Sequence, residues 1–202
     1  MPFDIARLIR TRPFLYHLTA RENVPSIIRD RELRCARLLL EGSDLSHQIS
    51  ARRSEHLRVT NREGRTLIRD QKPLIEKNIA FESGWNLARL VEHINEHVFF
   101  WPGGASGPIG PGLNHFERYR SEAPAILRLP TTAITKTGLR FSRYNSGAPR
   151  CSGGKHSPRG GGTYLPATEF SGNASDVIEV VTVHMCALPS GVEVSNCQVP
   201  AD

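Results

Sequence analysis

Phe14-Leu15-Tyr16-His17-Leu18-Thr19 is an apolar run that ends on an imidazole and a hydroxyl two residues apart. Pro13 stops whatever helix precedes it, and Phe14–Leu18 reads as a first strand. Side chains alternate along a strand, so His17 and Thr19 emerge from one face. Such a pair can satisfy itself on the strand face, or it can form one wall of a polar site.

Working outward, Ile5, Leu8 and Ile9 sit at helical spacing behind Asp4, a natural N-cap, which predicts a helix over 4–11. Glu22–Arg29 repeats that spacing, with Pro25 tolerated in the first turn. Leu33–Glu41 reads as a helical or irregular piece stopped by Gly42. Ser43–Arg62 reads as an ordered polar loop with some helix, and Thr66–Ile68 as a short strand. Gly84–His97 carries Trp85, Leu87, Leu90, Val91 and Ile94 on one face, the pattern of an amphipathic helix.

Val98–Trp101 fits a buried strand. Pro102–Gly112, dense in glycine and proline, reads as loop, Leu113–Ser121 as a brief helix and Ala125–Leu129 as a strand. Gly138–Pro166 reads as low in regular structure. Val177–His184 (Val-Ile-Glu-Val-Val-Thr-Val-His) is strongly β-branched and predicts a strand, with another short one at Val192–Val194. Short strands that dominate the second half predict an α+β fold built on antiparallel pairing, in one domain over 1–202.

The four cysteines, Cys35, Cys151, Cys186 and Cys197, form no Cys-x-x-Cys pair, so neither a structural zinc nor a disulfide framework is expected. No apolar run is long enough to cross a bilayer. The start, Met-Pro-Phe-Asp-Ile, has an early acid and no long apolar stretch, which predicts no secretory signal and a cytoplasmic location. The net charge of +6 fits either an anionic partner or a generally solvated basic surface. It is unevenly placed: between Ala123 and Thr168 there is no acid, while Arg128, Lys136, Arg140, Arg143, Arg150, Lys155 and Arg159 all fall there.

Glu179 stands in the middle of the strongest strand, on a face shared with Val177, Val181 and Val183. A carboxylate there is costly if buried without partners, so it either performs chemistry or keeps a strand edge from pairing with another chain. Arg52-Arg53 can be a solvated turn or a phosphate fork. Arg69-Asp70-Gln71-Lys72 can be a salt-bridge knot or part of a substrate wall. Asn145-Ser146-Gly147-Ala148 has the composition of a tight turn, whose hydroxyl and amides could also line a pocket. His17 and Thr19 have the spacing to hold the hydroxyls and amide of a ribose–nicotinamide unit. There is no P-loop, no Gly-x-Gly-x-x-Gly after a strand, no Gly-x-Ser-x-Gly and no His-Glu-x-x-His.

Tyr16-His17-Leu18-Thr19 followed by Glu22-Asn23-Val24-Pro25-Ser26-Ile27-Ile28 resembles the opening of DarT-like ADP-ribosyltransferases. In these, a strand ending in His-x-Thr runs into a helix with an Asn-x-x-Ser-Ile pattern. Val98-Phe99-Phe100-Trp101 resembles their apolar central strand, and Ile178-Glu179-Val180-Val181 with Leu188-Pro189 their late strand carrying the catalytic glutamate. Tyr-His-Leu-Thr at 16–19, Arg-Asp-Gln-Lys-Pro at 69–73, Val-Phe-Phe-Trp at 98–101 and Asn-Ser-Gly-Ala at 145–148 also resemble the motifs of a family of small uncharacterised bacterial proteins.

The DarT-like resemblance implies a split antiparallel sheet with peripheral helices and NAD as a substrate, with no metal. His17 and Glu179 would be catalytic. His17, Thr19, Tyr16, Asn145, Ser146 and one of Arg52 or Arg53 would bind the dinucleotide. The implied reaction is ADP-ribose transfer to a macromolecular acceptor, a DNA or RNA base, as in a toxin or defence protein with an antitoxin partner. Simple NAD hydrolysis, or a catalytically silent nucleotide- or nucleic-acid-binding module, are the alternatives. Val177 stands where arginine-modifying transferases carry a second acid, which favours a non-arginine acceptor. The basic, glycine-rich stretch between Leu129 and Asp176 departs from the related enzymes and leaves the acceptor open.

Overall fold

A computed structural model describes residues 3–61, 64–134, 138–145 and 158–196. Helix α1 (Ile5–Thr11) starts at Asp4, whose carboxylate accepts the Arg7 amide at 2.8 Å. Strand β1 (Phe14–Thr19) leads through a 3-10 turn into α2 (Val24–Asp30), which ends on Arg31 in the left-handed region at φ 53°. Strand β2 (Glu32–Arg34) and α3 (Ala36–Leu40) follow, then a hairpin of β3 (Leu57–Asn61) and β4 (Gly64–Ile68). Helix α4 (Leu87–Asn95) is capped by the Asn86 side chain and buries Leu90, Val91, Ile94 and Asn95.

Strand β5 (His97–Gly104), the two-residue β6 (Gly107–Pro108), α5 (Gly110–Arg118), β7 (Ala125–Pro130) and α6 (Thr131–Ile134) come next. The chain continues through β8 (Arg140–Ser142), β9 (Leu165–Pro166), β10 (Glu179–Val183), β11 (Met185–Ala187) and β12 (Glu193–Asn196). The fold is α+β, with the main sheet antiparallel throughout in the order β12-β7-β1-β5-β10-β8-β9 and β6 added to β5.

The register of the central strands positions the site. β1 pairs with β5 only from Phe14 to Tyr16, opposite Gly103 to Trp101. Beyond Tyr16 it stays with β7 as far as Thr19, while β5 from Phe100 back to His97 stays with β10. The two strands therefore part at His17. A core of Leu15, Val98, Phe100, Leu127, Leu129, Phe141 and Val180 holds the sheet, and Leu74, Leu90, Val91, Tyr164 and Val181 form a second cluster under α4.

Several expectations are corrected. Pro102–Gly112 is not loop: β5 runs on to Gly104, β6 follows, and α5 begins at Gly110. The glycines permit close approach there. A Cβ on Gly103 would lie 2.2 Å from the Gly107 carbonyl oxygen, and one on Gly112 would lie 2.7 Å from Trp101 Cβ. Leu33–Glu41 divides into β2 and α3, because Leu33 and Arg34 pair with Cys186 and Met185 of β11. Ser43–Arg62 contains β3, which closes a hairpin with β4, and Gly138–Pro166 contains β8 and β9, with β8 recruited by the distant β10. Among the described residues no helix is long and apolar enough to cross a membrane.

Candidate functional site

The parting of β1 from β5 leaves strand edges that neighbouring side chains must serve. His17 does so directly: its Nδ1 lies 2.8 Å from the Phe99 carbonyl oxygen. A carbonyl only accepts, so Nδ1 carries the proton and Nε2 keeps its lone pair. Burial first pushes the imidazole down to about 4, opposed by the Phe99 carbonyl, with the Arg69 charge adding to the fall. His17 is therefore a neutral acceptor near pH 7.

A cavity of about 220 Å³ opens here, and both His17 and Glu179 line it. They belong to strands on opposite sides of β5: His17 to β1, Glu179 to the first position of β10, opposite Ser142 of β8. Glu179 is only 1 % exposed. Thr19 also lines the cavity and is buried; its Oγ1 accepts the Asn23 side-chain amide at 3.2 Å. Asn23 in turn donates to the Leu67 carbonyl at 2.9 Å and accepts the Leu67 amide at 2.8 Å, tying the β3–β4 hairpin to the end of β1.

Arg53 and Arg52 separate clearly. Arg53, 6 % exposed, lines the cavity; its Nε donates to the Arg69 carbonyl at 2.9 Å and its Nη1 to Asn95 Oδ1 at 3.0 Å. Burial lowers this guanidinium to about 10, partly offset by Asp70, which leaves it a cation near neutrality. Arg52 is not part of the lining; it donates to the Lys72 carbonyl at 2.8 Å. Tyr16 is not part of the lining; it clusters with Leu18, Trp101, Phe116 and Tyr119 and donates to the Gly104 carbonyl. Asn145 lines the cavity, while Ser146 lies outside the described residues.

Other lining residues carry no warning as single letters in the sequence. Asn95 is the best example. It sits on the buried face of α4 one turn after Val91, and an amide in an apolar stripe is the signal that could have found it. Its Oδ1 accepts from Arg53 and, at 3.2 Å, from Gln71, and its Nδ2 donates to the Ile49 carbonyl at 2.8 Å. His97, Trp101, His115 and Tyr119 complete an aromatic and imidazole wall, in which Trp101 and His115 stack at 4.3 Å between centroids. The Arg-Asp-Gln run contributes Arg69, Asp70 and Gln71 to the cavity lining and contacts Glu122 and His56.

Taken chemically, the cavity presents a neutral imidazole acceptor, a buried hydroxyl, a fixed cation and a buried carboxylate. Trp101 is a lining residue whose indole N–H is buried and has no hydrogen-bond partner among the described residues. Among the described residues no cluster of three or more His, Cys, Asp or Glu is arranged to hold a metal ion. Residues 13–185 match the model of a family of unknown function, DUF7002. No curated protein and no solved structure matches the chain.

Proposed function

This chain belongs to the DUF7002 family, and we propose that it is an NAD-dependent ADP-ribosyltransferase acting on a macromolecular acceptor, a DNA or RNA base. The observation that carries this reading is the convergence of His17, Thr19, Arg53 and Glu179 on one cavity from widely separated parts of the chain. The parting of β1 from β5 supports the finer fold reading, a split antiparallel sheet of the ADP-ribosyltransferase type.

The residues suit a nicotinamide–ribose unit. His17 Nε2 accepts from a ribose hydroxyl, and its neutrality avoids repelling the positively charged nicotinamide ring. Arg53, held by Asn95 and the Arg69 carbonyl, gives the wall a charge that needs no reorganisation. At about 220 Å³ the cavity falls below the roughly 300–1,000 Å³ of sites enclosing a whole drug-sized ligand, so it takes the reacting half of a dinucleotide.

Glu179 carries the chemistry. Its carboxylate accepts from the ribose 2′-hydroxyl and opposes the positive charge that grows on the sugar as the bond to nicotinamide breaks. The bonding pair leaves with a neutral nicotinamide. The acceptor then bonds to the same ribose carbon, and Glu179 or solvent takes its proton. The protein incubated with adenylate-labelled NAD, and separately with DNA, RNA and a protein extract, tests this. Label on a nucleic acid is expected. Free ADP-ribose alone would indicate hydrolysis, and salt-dependent nucleic-acid binding without NAD turnover would indicate a silent module.

A further inference from the structure

Side-chain alternation divides the cavity between the two faces of the sheet. Tyr16 stands opposite Trp101 and Val181 opposite Phe99, and directly opposed residues share a face. Glu179, Phe99 and Trp101 therefore project from one face, and His17 and Thr19 from the other. All of them line the cavity, so it passes through the sheet where β1 and β5 part. On the His17 face it adjoins a side pocket of about 70 Å³ that shares His17, Thr19 and Asn23 with it. Ser26 and Asp30 of α2, Glu32 and Arg34 of β2 and Thr66 of β4 extend that pocket, and Glu179 takes no part in it.

The side pocket is rich in hydrogen-bond acceptors. Ser26 Oγ donates its hydrogen to the Asn23 carbonyl at 2.9 Å and keeps only lone pairs for a ligand. Asp30 accepts from Arg29 at 2.7 and 3.1 Å, which leaves each carboxylate oxygen a further lone pair. Glu32 Oε1 accepts from Arg34, and its Oε2 has no partner among the described residues. An edge bearing N–H donors suits these groups, as when a carboxylate accepts from the exocyclic amino group of cytosine. The mouth carries the opposite charge. Arg29, with 59 % of its side chain exposed, and Arg31, the exposed left-handed residue that ends α2, flank Asp30. Guanidinium groups there attract phosphates and repel a basic peptide. The pocket has room for about five water-sized groups, so the edge of a base enters while its sugar and phosphates stay outside.

We propose that this pocket is the acceptor end of the site. A single-stranded nucleic acid lays its phosphates along Arg29 and Arg31 and inserts the amino-bearing edge of a base toward Thr19 and His17, from the face opposite Glu179. The assignment rests on the transferase reading and adds to it the side from which the acceptor approaches. The amino nitrogen's lone pair bonds to the ribose carbon while the bond to nicotinamide breaks on the other side, its electron pair leaving with nicotinamide. The nitrogen then releases one proton to solvent at the pocket mouth. A base paired in a duplex has this edge occupied, so the strand is single.

Fluorescence anisotropy of single-stranded oligo(dC) and oligo(dT) of equal length, titrated with the full chain over a salt series without NAD, tests it. Oligo(dC) should bind about fivefold or more tightly than oligo(dT), the scale of one base-edge contact. Glu32→Gln should remove most of that preference, since an amide also donates to the thymine carbonyl. Arg31→Gln should weaken both oligonucleotides and lower the salt slope by about 0.7, the share of one phosphate contact. Arg120→Gln removes the same charge from an exposed residue that pairs with Glu117 beyond α5, and should change nothing. Arg31→Gln, at an exposed position, keeps the test sound if Glu32→Gln disturbs β2. No binding, equal affinity for the two oligonucleotides, an unchanged slope in Arg31→Gln, an equal loss in Arg120→Gln, or capture of an oligoarginine peptide instead would each overturn the assignment. If the oligonucleotides bind as expected while NAD is not cleaved, the transferase reading falls and the nucleic-acid surface stands. If NAD labels DNA while Arg31→Gln and Glu32→Gln bind as the wild type does, the surface falls and the transferase reading stands.

Discussion

At His17 a single backbone carbonyl decides the chemistry. Because Phe99 accepts from Nδ1, the other ring nitrogen can only accept, and burial keeps the ring uncharged. The same holds for His97, 4 % exposed, which burial pushes down to about 4. An imidazole whose folded pKa lies below its unfolded value binds fewer protons in the native state. Its contribution is complete above about pH 6.5 and is lost as pH falls toward 4. Urea denaturation should therefore show stability falling from pH 7 to pH 4.5. One such imidazole accounts for roughly 3 kcal/mol across the full window. His97→Leu should make that fall shallower; an unchanged slope would mean that His97 is not the group responsible.

Between elements, two small residues hold the cavity walls in place. Asn23 bridges Thr19 of β1 and the backbone of Leu67 in β4. Asn23→Ala leaves the Leu67 amide and carbonyl unpaired, at a cost of about 2–4 kcal/mol. Hydrogen exchange should show the Leu67 amide losing protection while the β1–β7 ladder keeps its own. Gly112 lets α5 lie against β5, where an added Cβ would meet Trp101 Cβ at 2.7 Å and Pro108 Cβ at 2.8 Å. Gly112→Ala should cost about 1–3 kcal/mol by overpacking and disturb the Trp101 fluorescence. These contacts also explain where sequence patterning stops. Periodicity locates α1, α4 and β10 because each carries its own apolar face. The glycines of 102–112 look like loop until one sees that they are spacers between packed backbones.

Over the whole molecule, the legible part of the site is the part on strands. Alternation in β1 places His17 beside Thr19, and the lone acid among valines marks Glu179. Nothing in either stretch says that β1 and β5 separate at His17, since register between distant strands is a property of the assembled sheet. Hence Arg53 could not be told from Arg52 by composition; only one of them faces Asn95. Gln71 belongs to a run legible as a possible wall and Asn95 to an apolar stripe it interrupts, but that Trp101 joins them depends on the same assembled register. The proposed function requires that the residues gathered by this topology act together on NAD. Glu179→Gln tests that most directly, with NAD binding followed by calorimetry and NAD cleavage by release of nicotinamide. Binding should persist within about tenfold while cleavage falls by about a hundredfold or more, as when a group acting in the transition state is removed. Cleavage that survives Glu179→Gln at the wild-type rate would contradict the account.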